Sequence, residues 1–214
     1  MSAPPRIEPP ELSALALVID TPRLTLRPLA TSDVDAIWPL ARDPELSRNL
    51  SWEPHVDREE TAAFIAGKIG ELAAGTSATW AIVPRAGDRA GQLSGVVSLD
   101  AIRWQFRAWR MDRAALGYWL APALWNQGLM SEAALAATRW GFETLGLHKI
   151  VVSCVDGNVG SQRVIEKIGF RFLALYLEDF YRHGRWHDHR FYELTAAEWA
   201  DSARTGRFTR MPRP

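Results

Sequence analysis

Four short segments of this chain hold the residue types that could do chemistry. The first runs Leu116-Gly117-Tyr118-Trp119-Leu120-Ala121-Pro122 and continues as Trp125-Asn126-Gln127-Gly128-Leu129-Met130-Ser131. An apolar strand stops at a proline, a short loop carries a glycine, and a helical run starts at Leu129 and reaches about Leu145. A helix start leaves backbone N–H groups without partners at the positive end of its dipole. Such a turn suits an anion, most commonly a phosphate. Glycine at 128 would let the backbone approach a pyrophosphate where a Cβ would stand in the way.

The second segment, Asn158-Val159-Gly160-Ser161 through Gly169-Phe170, reads as a helix capped by Asn158 and closed by a glycine with an apolar residue beyond it. The third, Glu178-Asp179-Phe180-Tyr181, stands just before a turn at Gly184. Either carboxylate could take a proton directly or through water, although solvated hairpin charges account for each residue equally simply. The fourth, Arg182-His183-Gly184-Arg185-Trp186-His187-Asp188-His189-Arg190, holds three of the five histidines. His187 and His189 share a strand face, so a metal is conceivable, yet no third ligand of suitable spacing follows and none is assigned. The same hairpin could line an acceptor groove or a dimer contact. Cys154, on an apolar strand, reads as packing rather than as a nucleophile.

Together the first two segments resemble the acetyl-CoA binding core of the GNAT N-acetyltransferases, in particular their RimJ/RimL-like branch. The resemblance covers about Thr21 to Trp199. It departs from the superfamily pattern at Trp125 and Met130, where Gln or Arg and a small residue are usual. It implies that acetyl-CoA is held by Trp119, Leu120, Asn126, Gln127, Gly128, Leu129, Met130, Ser131, Asn158 and Ser161. The strand Gly117–Ala121 would offer the amide of Trp119 or Leu120 to the thioester oxygen. Ser161 would protonate the departing thiolate, with a second capping hydroxyl as the alternative. One of Asp179 and Glu178 would be the base; neighbours on a strand point to opposite faces, so only one can face the cleft, and Asp179 is preferred. Glu132, in the first turn of its helix, is explained by the dipole alone.

Composition narrows the classes. Lys+Arg and Asp+Glu both number 25 in 214 residues, so a zero formal charge argues against an electrostatic nucleic-acid binder. One cysteine excludes a disulfide framework within the chain and fits a reducing, cytoplasmic location. No apolar run approaches the roughly 18 residues of a membrane span, and Ala14–Ile19 lacks the basic flank of a signal peptide.

The elements that must position these segments follow from pattern. Residues 1–20, with Pro4, Pro5, Pro9 and Pro10, read as a loose tail; 21–203 as one domain; 204–214 as a second tail. Arg23–Arg27 alternates as a strand, Thr31-Ser32-Asp33 opens a helix to about Arg42, and Asp57-Arg58-Glu59-Glu60 opens another. Strands are expected near 78–84, 91–101, 113–121, 148–155, 170–179 and 186–194, and helices over 129–145, 159–168 and from the capping box Thr195-Ala196-Ala197-Glu198. Arg103-Trp104-Gln105-Phe106-Arg107-Ala108-Trp109-Arg110 interleaves arginines with aromatics, as base-stacking surfaces do, but reads as a long exposed loop over the mouth of the site. Pattern gives an α/β or α+β domain of order β-α-α-β-β-β-α-β-α-β-β; the resemblance makes it a GNAT fold with six to seven strands.

The expected function is acetyl transfer to a primary amine by direct ternary-complex transfer, since no residue stands out as an acetyl carrier. An α-amine of pKa near 8 is about one-tenth neutral at pH 7 and a lysine about one part in 2,500. A chain without an emphatic base therefore fits a protein N-terminus best. The alternatives are a small amine such as an antibiotic or polyamine, and a sensor that binds acyl-CoA without turning it over.

Overall fold

The structure, a computed structural model, describes residues 9–205, the side chain of Ala203 apart. Apolar residues occupy both parities of the central strands because both faces of the sheet are covered. In β3 (Ala78–Pro84), Ala78, Trp80 and Ile82 enter one core and Ala81 the other. The remaining strands are β1 (Ile19–Asp20), β2 (Leu24–Pro28), β4 (Gly95–Phe106), β5 (Trp109–Leu120), β6 (Lys149–Val155), β7 (Arg171–Arg182) and β8 (Arg185–Thr195). They form one sheet in the order β1-β2-β3-β4-β5-β6-β8-β7. The helices α1 (Val34–Ala41), α2 (Pro44–Ser47) and α3 (Arg58–Ala73) bury Ile37, Leu40, Leu46 and Ile65 on one face. On the other face lie α4 (Leu129–Glu143), α5 (Val159–Lys167) and α6 (Ala196–Arg204), which bring Ala133, Ala137, Ile165 and Trp199.

The mixed α/β architecture is as the sequence implied, with eight strands instead of six to seven. The extra strand is β1, which pairs Ile19 with Leu26 and Asp20 with Thr25. It belongs to the expected loose tail, which is therefore shorter than read: Leu12 is 1% exposed, and the indoles of Trp80 and Trp140 donate to Leu17 O (2.6 Å) and Ala16 O (2.8 Å). After the prolines the chain makes one short 3-10 turn, Leu12–Ala14, and then offers main-chain carbonyls to two buried indoles that need acceptors. Leu12→Ala should then cost about 2–5 kcal/mol of stability, read by urea unfolding. A loss below about 0.5 kcal/mol, the scale of an ordinary surface change, would mean that the segment is not attached.

A second expectation fails. Arg103–Arg110 is no loop: Arg103 pairs with Arg113, Gln105 with Arg110 and Phe106 with Trp109 across a two-residue turn at Arg107-Ala108. Trp104 packs partly on the core, which the interleaved pattern of a paired ribbon permits. This turn lies at the opposite end of β5 from Leu120, away from the site described next.

Every neighbouring pair in the sheet is antiparallel except β5 and β6, which run parallel and meet only through Arg113, Ala114 and Ala115 with Lys149, Ile150 and Val151. Beyond Ala115 and Val151 the two strands part. The wedge between them holds the site.

Candidate active site

The wedge leaves one edge of β5 without a strand partner. Which amides it exposes follows from register. Ala121 N–H donates to Ser94 O at 2.8 Å, and Val96 faces Trp119, so the amides of Trp119 and Gly117 look toward β4. Those of Tyr118 and Leu120 look into the wedge. The carbonyl of Leu120 confirms the parity, because it accepts from Trp125 Nε1 at 2.7 Å on the wedge side. Of the two amides named from sequence, Trp119 is thus turned away and Leu120 available. The Trp119 side chain is buried in the second core, edge-on to Trp52 at 6.4 Å.

The loop after β5 turns through left-handed backbone at Asn126 (φ 60°) and Gly128 (φ 75°). Gly128 is the N-cap of α4, and no side chain caps that helix end. The N–H groups of Leu129, Met130 and Ser131 therefore have no intrahelical acceptor. A Cβ built on Gly128 would stand 3.6 Å from Arg23 Nη2 and 3.8 Å from Lys167 Nζ. Arg23 is braced, donating to Gln127 O at 2.9 Å and to Glu132 at 2.6 Å. Glu132 also accepts from Thr21 Oγ1 (2.7 Å) and Arg23 N–H (2.9 Å). Burial alone would raise its pKa; these bonds outweigh that and hold it below the usual carboxylate range. Glu132 thus does more than favour a dipole: it clamps the start of β2 to the loop.

A cavity of about 620 Å³ opens here, lined by Leu120, Asn126, Gly128, Met130 and Ser131, with Arg48, Arg163 and Lys167 as its cations. Among the residues expected to hold a cofactor, the side chains of Gln127 and Leu129 turn away. Gln127 Nε2 donates to Ala123 O at 3.1 Å, and Leu129 lies in the core.

Asn158 caps α5 as read, its Oδ1 accepting from Ser161 N–H at 3.1 Å. Ser161 Oγ lies 2.8 Å from the hydroxyl of Tyr118, a contact that sequence reasoning missed. Alternation along a strand says nothing of which helix faces a side chain. Burial pushes the Tyr118 hydroxyl well above the ordinary tyrosine range, so it keeps its proton. Burial likewise pushes the Cys154 thiol up to about 11, consistent with packing.

A second cavity, about 830 Å³, meets the first at Tyr118, Trp119, Asn158 and Ser161. Its walls include Trp52, Phe64, Asp100, Phe180, Asp179 and His189. The segment after α2 forms one wall, pinned by Arg182, which donates to Ser47 O (2.9 Å), Trp52 O (2.9 Å) and Leu50 O and pairs with Glu53 at 2.9 Å.

Between Tyr176, facing His189, and Phe180, facing His187, β7 carries three residues against one on β8. That bulge separates the two carboxylates. Asp179 lines the cavity, while Glu178 is exposed with φ 49°, gives its N–H to Asp188 Oδ1 at 2.9 Å and does not line it. The histidines disperse. His183 sits in the turn with φ 50°, His187 Nε2 lies 3.1 Å from Arg182 O, and His189 Nδ1 lies 3.2 Å from Asp179 Oδ2. Among the described residues no three side chains are grouped to hold a metal ion.

An open β5 edge, a bare helix start behind a glycine, and a second chamber that meets the first at a tyrosine lie together in the wedge. A family model for the acetyltransferase (GNAT) domain matches residues 23–171, and the chain belongs to that family. It is 25% identical over 177 residues to the uncharacterized N-acetyltransferase YoaA of Bacillus subtilis (strain 168), covering 83% of this chain and 96% of that protein. It is 30% identical over 109 residues to the [ribosomal protein uS5]-alanine N-acetyltransferase of Escherichia coli (strain K12), covering 50% and 54% of the two. The structure superposes on RimL, a ribosomal L7/L12 alpha-N-protein acetyltransferase solved with coenzyme A, with a TM-score of 0.74 and 25% identity over 83% of this chain and 97% of that one. No helix among the described residues is long and apolar enough to cross a membrane.

Proposed function

We propose that this chain transfers an acetyl group from acetyl-CoA to the α-amine of a protein N-terminus. The observation that carries the reading is the meeting of two cavities at Tyr118 and Ser161, one edged by unpaired main-chain donors and cations, the other by aromatic and ionisable side chains. The residues present fit a coenzyme A pyrophosphate. The Leu129, Met130 and Ser131 amides point outward from a helix start, and Lys167, Arg163 and Arg48 supply charge. Bound there, acetyl-CoA supplies an acyl group already activated as a thioester.

The chain's own groups do the rest. The Leu120 and Tyr118 amides face the gap and can stabilise an oxygen as it gains charge. The Tyr118 hydroxyl, protonated and bonded to Ser161, can give a proton to a departing sulfur. Ser161 serves this relay through its hydroxyl, while its N–H is taken by the Asn158 cap. Asp179 stands on the acceptor side and Glu178 outside it. Support for an α-amine comes from the neutral fraction of such amines near pH 7 and from the activities for which the ribosomal-protein relatives are named.

The test is thiol release from acetyl-CoA with three acceptors at equal concentration: a lysine-free peptide with a free N-terminus, a blocked peptide bearing one lysine, and spermidine. The free N-terminus should be preferred at least tenfold. Equal or faster release with spermidine would replace the acceptor class. Thermal stabilisation by acetyl-CoA without thiol release from any acceptor would make the chain a sensor.

A further inference from the structure

We propose that His189 is the group that takes the acceptor's proton, with Asp179 as its positioning residue. This rests on the transferase reading above and goes beyond it, since it moves the base from a carboxylate to an imidazole.

The geometry is that of an oriented histidine. His189 and Asp179 line the acceptor-side cavity together with Tyr118 and Ser161. Asp179 Oδ2 lies 3.2 Å from His189 Nδ1. A carboxylate there accepts the Nδ1 proton, which fixes the tautomer and leaves the lone pair on Nε2. Phe180 and Phe191 meet the ring edge-to-face at 4.8 Å and 5.1 Å, from β7 and β8 respectively, and restrict its rotation. The bulge in β7 brings Asp179 into this position, so the strand departs from regular pairing where the carboxylate is needed.

Tyr181 of β7 also lines these walls, its ring edge-on to Trp186 at 5.6 Å, and the other carboxylates and cations there are occupied. Asp100 accepts from Lys68 (2.9 Å), Ser77 (2.7 Å) and Ser98 (2.5 Å). Glu53 is paired with Arg182, and Lys68 is paired with Glu71 as well as Asp100. From β5 and β6, Tyr118 and Cys154 face this space with their protons held by burial. Next to His189 on β8, Arg190 pairs with Asp156, and Asp188 accepts from Glu178 N–H. Burial lowers the His189 pKa more than Asp179 raises it, which leaves the imidazole neutral near pH 7 and free to accept.

The step balances as follows. An ammonium proton passes to His189 Nε2, and the freed nitrogen lone pair forms the C–N bond to the acyl carbon. The C–S bond breaks with its electrons on sulfur, which takes the Tyr118 proton. The second nitrogen proton restores the tyrosine, and His189 releases its own to solvent. One ammonium and one thioester become one amide, one thiol and one proton.

The experiment follows kcat/KM against pH, with acetyl-CoA affinity and circular dichroism as controls, in wild type, His189→Gln and Asp179→Asn. Wild type should lose activity as pH falls through the histidine's depressed pKa. His189→Gln should be slower by about a hundredfold near neutral pH, lack that acidic limb, and recover as pH nears the acceptor's own pKa, with acetyl-CoA affinity unchanged. Asp179→Asn should keep the limb but move it to lower pH, because the carboxylate that raises the histidine is gone; a merely structural aspartate would leave the limb in place. A His189→Gln enzyme with the wild-type rate and profile would overturn the assignment while the transferase reading stood. Wild-type protein releasing no thiol with any amine would overturn both. An imidazole that shows no titration by NMR between pH 4 and 8 in the wild-type acetyl-CoA complex would overturn it whatever the variants do.

Discussion

Gly128→Val should weaken acetyl-CoA binding at least tenfold, an effect read by calorimetry with the fold checked by circular dichroism. Two costs add. Gly128 has φ 75°, a left-handed conformation that a β-branched residue adopts only under strain. The new side chain would also enter the space bounded by Arg23 Nη2 and Lys167 Nζ, in front of the free amides of α4. A tenfold loss corresponds to about 1.4 kcal/mol, small beside what a phosphate loses when main-chain donors are blocked. Unchanged affinity with an intact fold would remove the loop from the site.

Tyr118→Phe should lower kcat about a hundredfold with little change in acetyl-CoA affinity. The hydroxyl acts as sulfur departs and makes no claim on the ground state. Ser161→Ala should reduce kcat in the same sense but less, since it removes the partner at 2.8 Å and not the acid. The double variant should be scarcely slower than Tyr118→Phe, because groups acting in one relay are not additive. If Ser161→Ala instead loses affinity and keeps kcat at saturation, the serine only binds and caps; wild-type kcat in Tyr118→Phe would exclude the tyrosine as the acid.

How much of this was legible from residues alone depended on whether the signal was local. The helix starts at Leu129 and Val159 were readable because caps and glycines act within a few residues. So was the turn at Gly184, which the structure builds from His183 and Gly184, both at positive φ. Register was not readable. Choosing between the Trp119 and Leu120 amides needs the pairing of Ala121 with Ser94, a relation between segments far apart in sequence. The bulge that separates Asp179 from Glu178 is likewise set by the partner strand. The segment at Leu12 was misread for a related reason: its attachment comes from Trp80 and Trp140, which no local pattern connects to it.

The wall shared by the two cavities also divides recognition between backbone and side chains. On the side proposed for acetyl-CoA, the donors are amides of β5 and α4, which keep their identity whatever residue carries them. On the side proposed for the amine, the surface is made by side chains such as Trp52, Phe64 and Phe180, on the segment pinned by Arg182, on α3 and on the hairpin at the sheet's edge. Ordinary point substitution can reshape the second surface and has less purchase on the first, where it reaches only the cations Arg48, Arg163 and Lys167 and the glycine that keeps the backbone clear. A chain built this way can drift from one acceptor to another while its hold on the donor stays fixed.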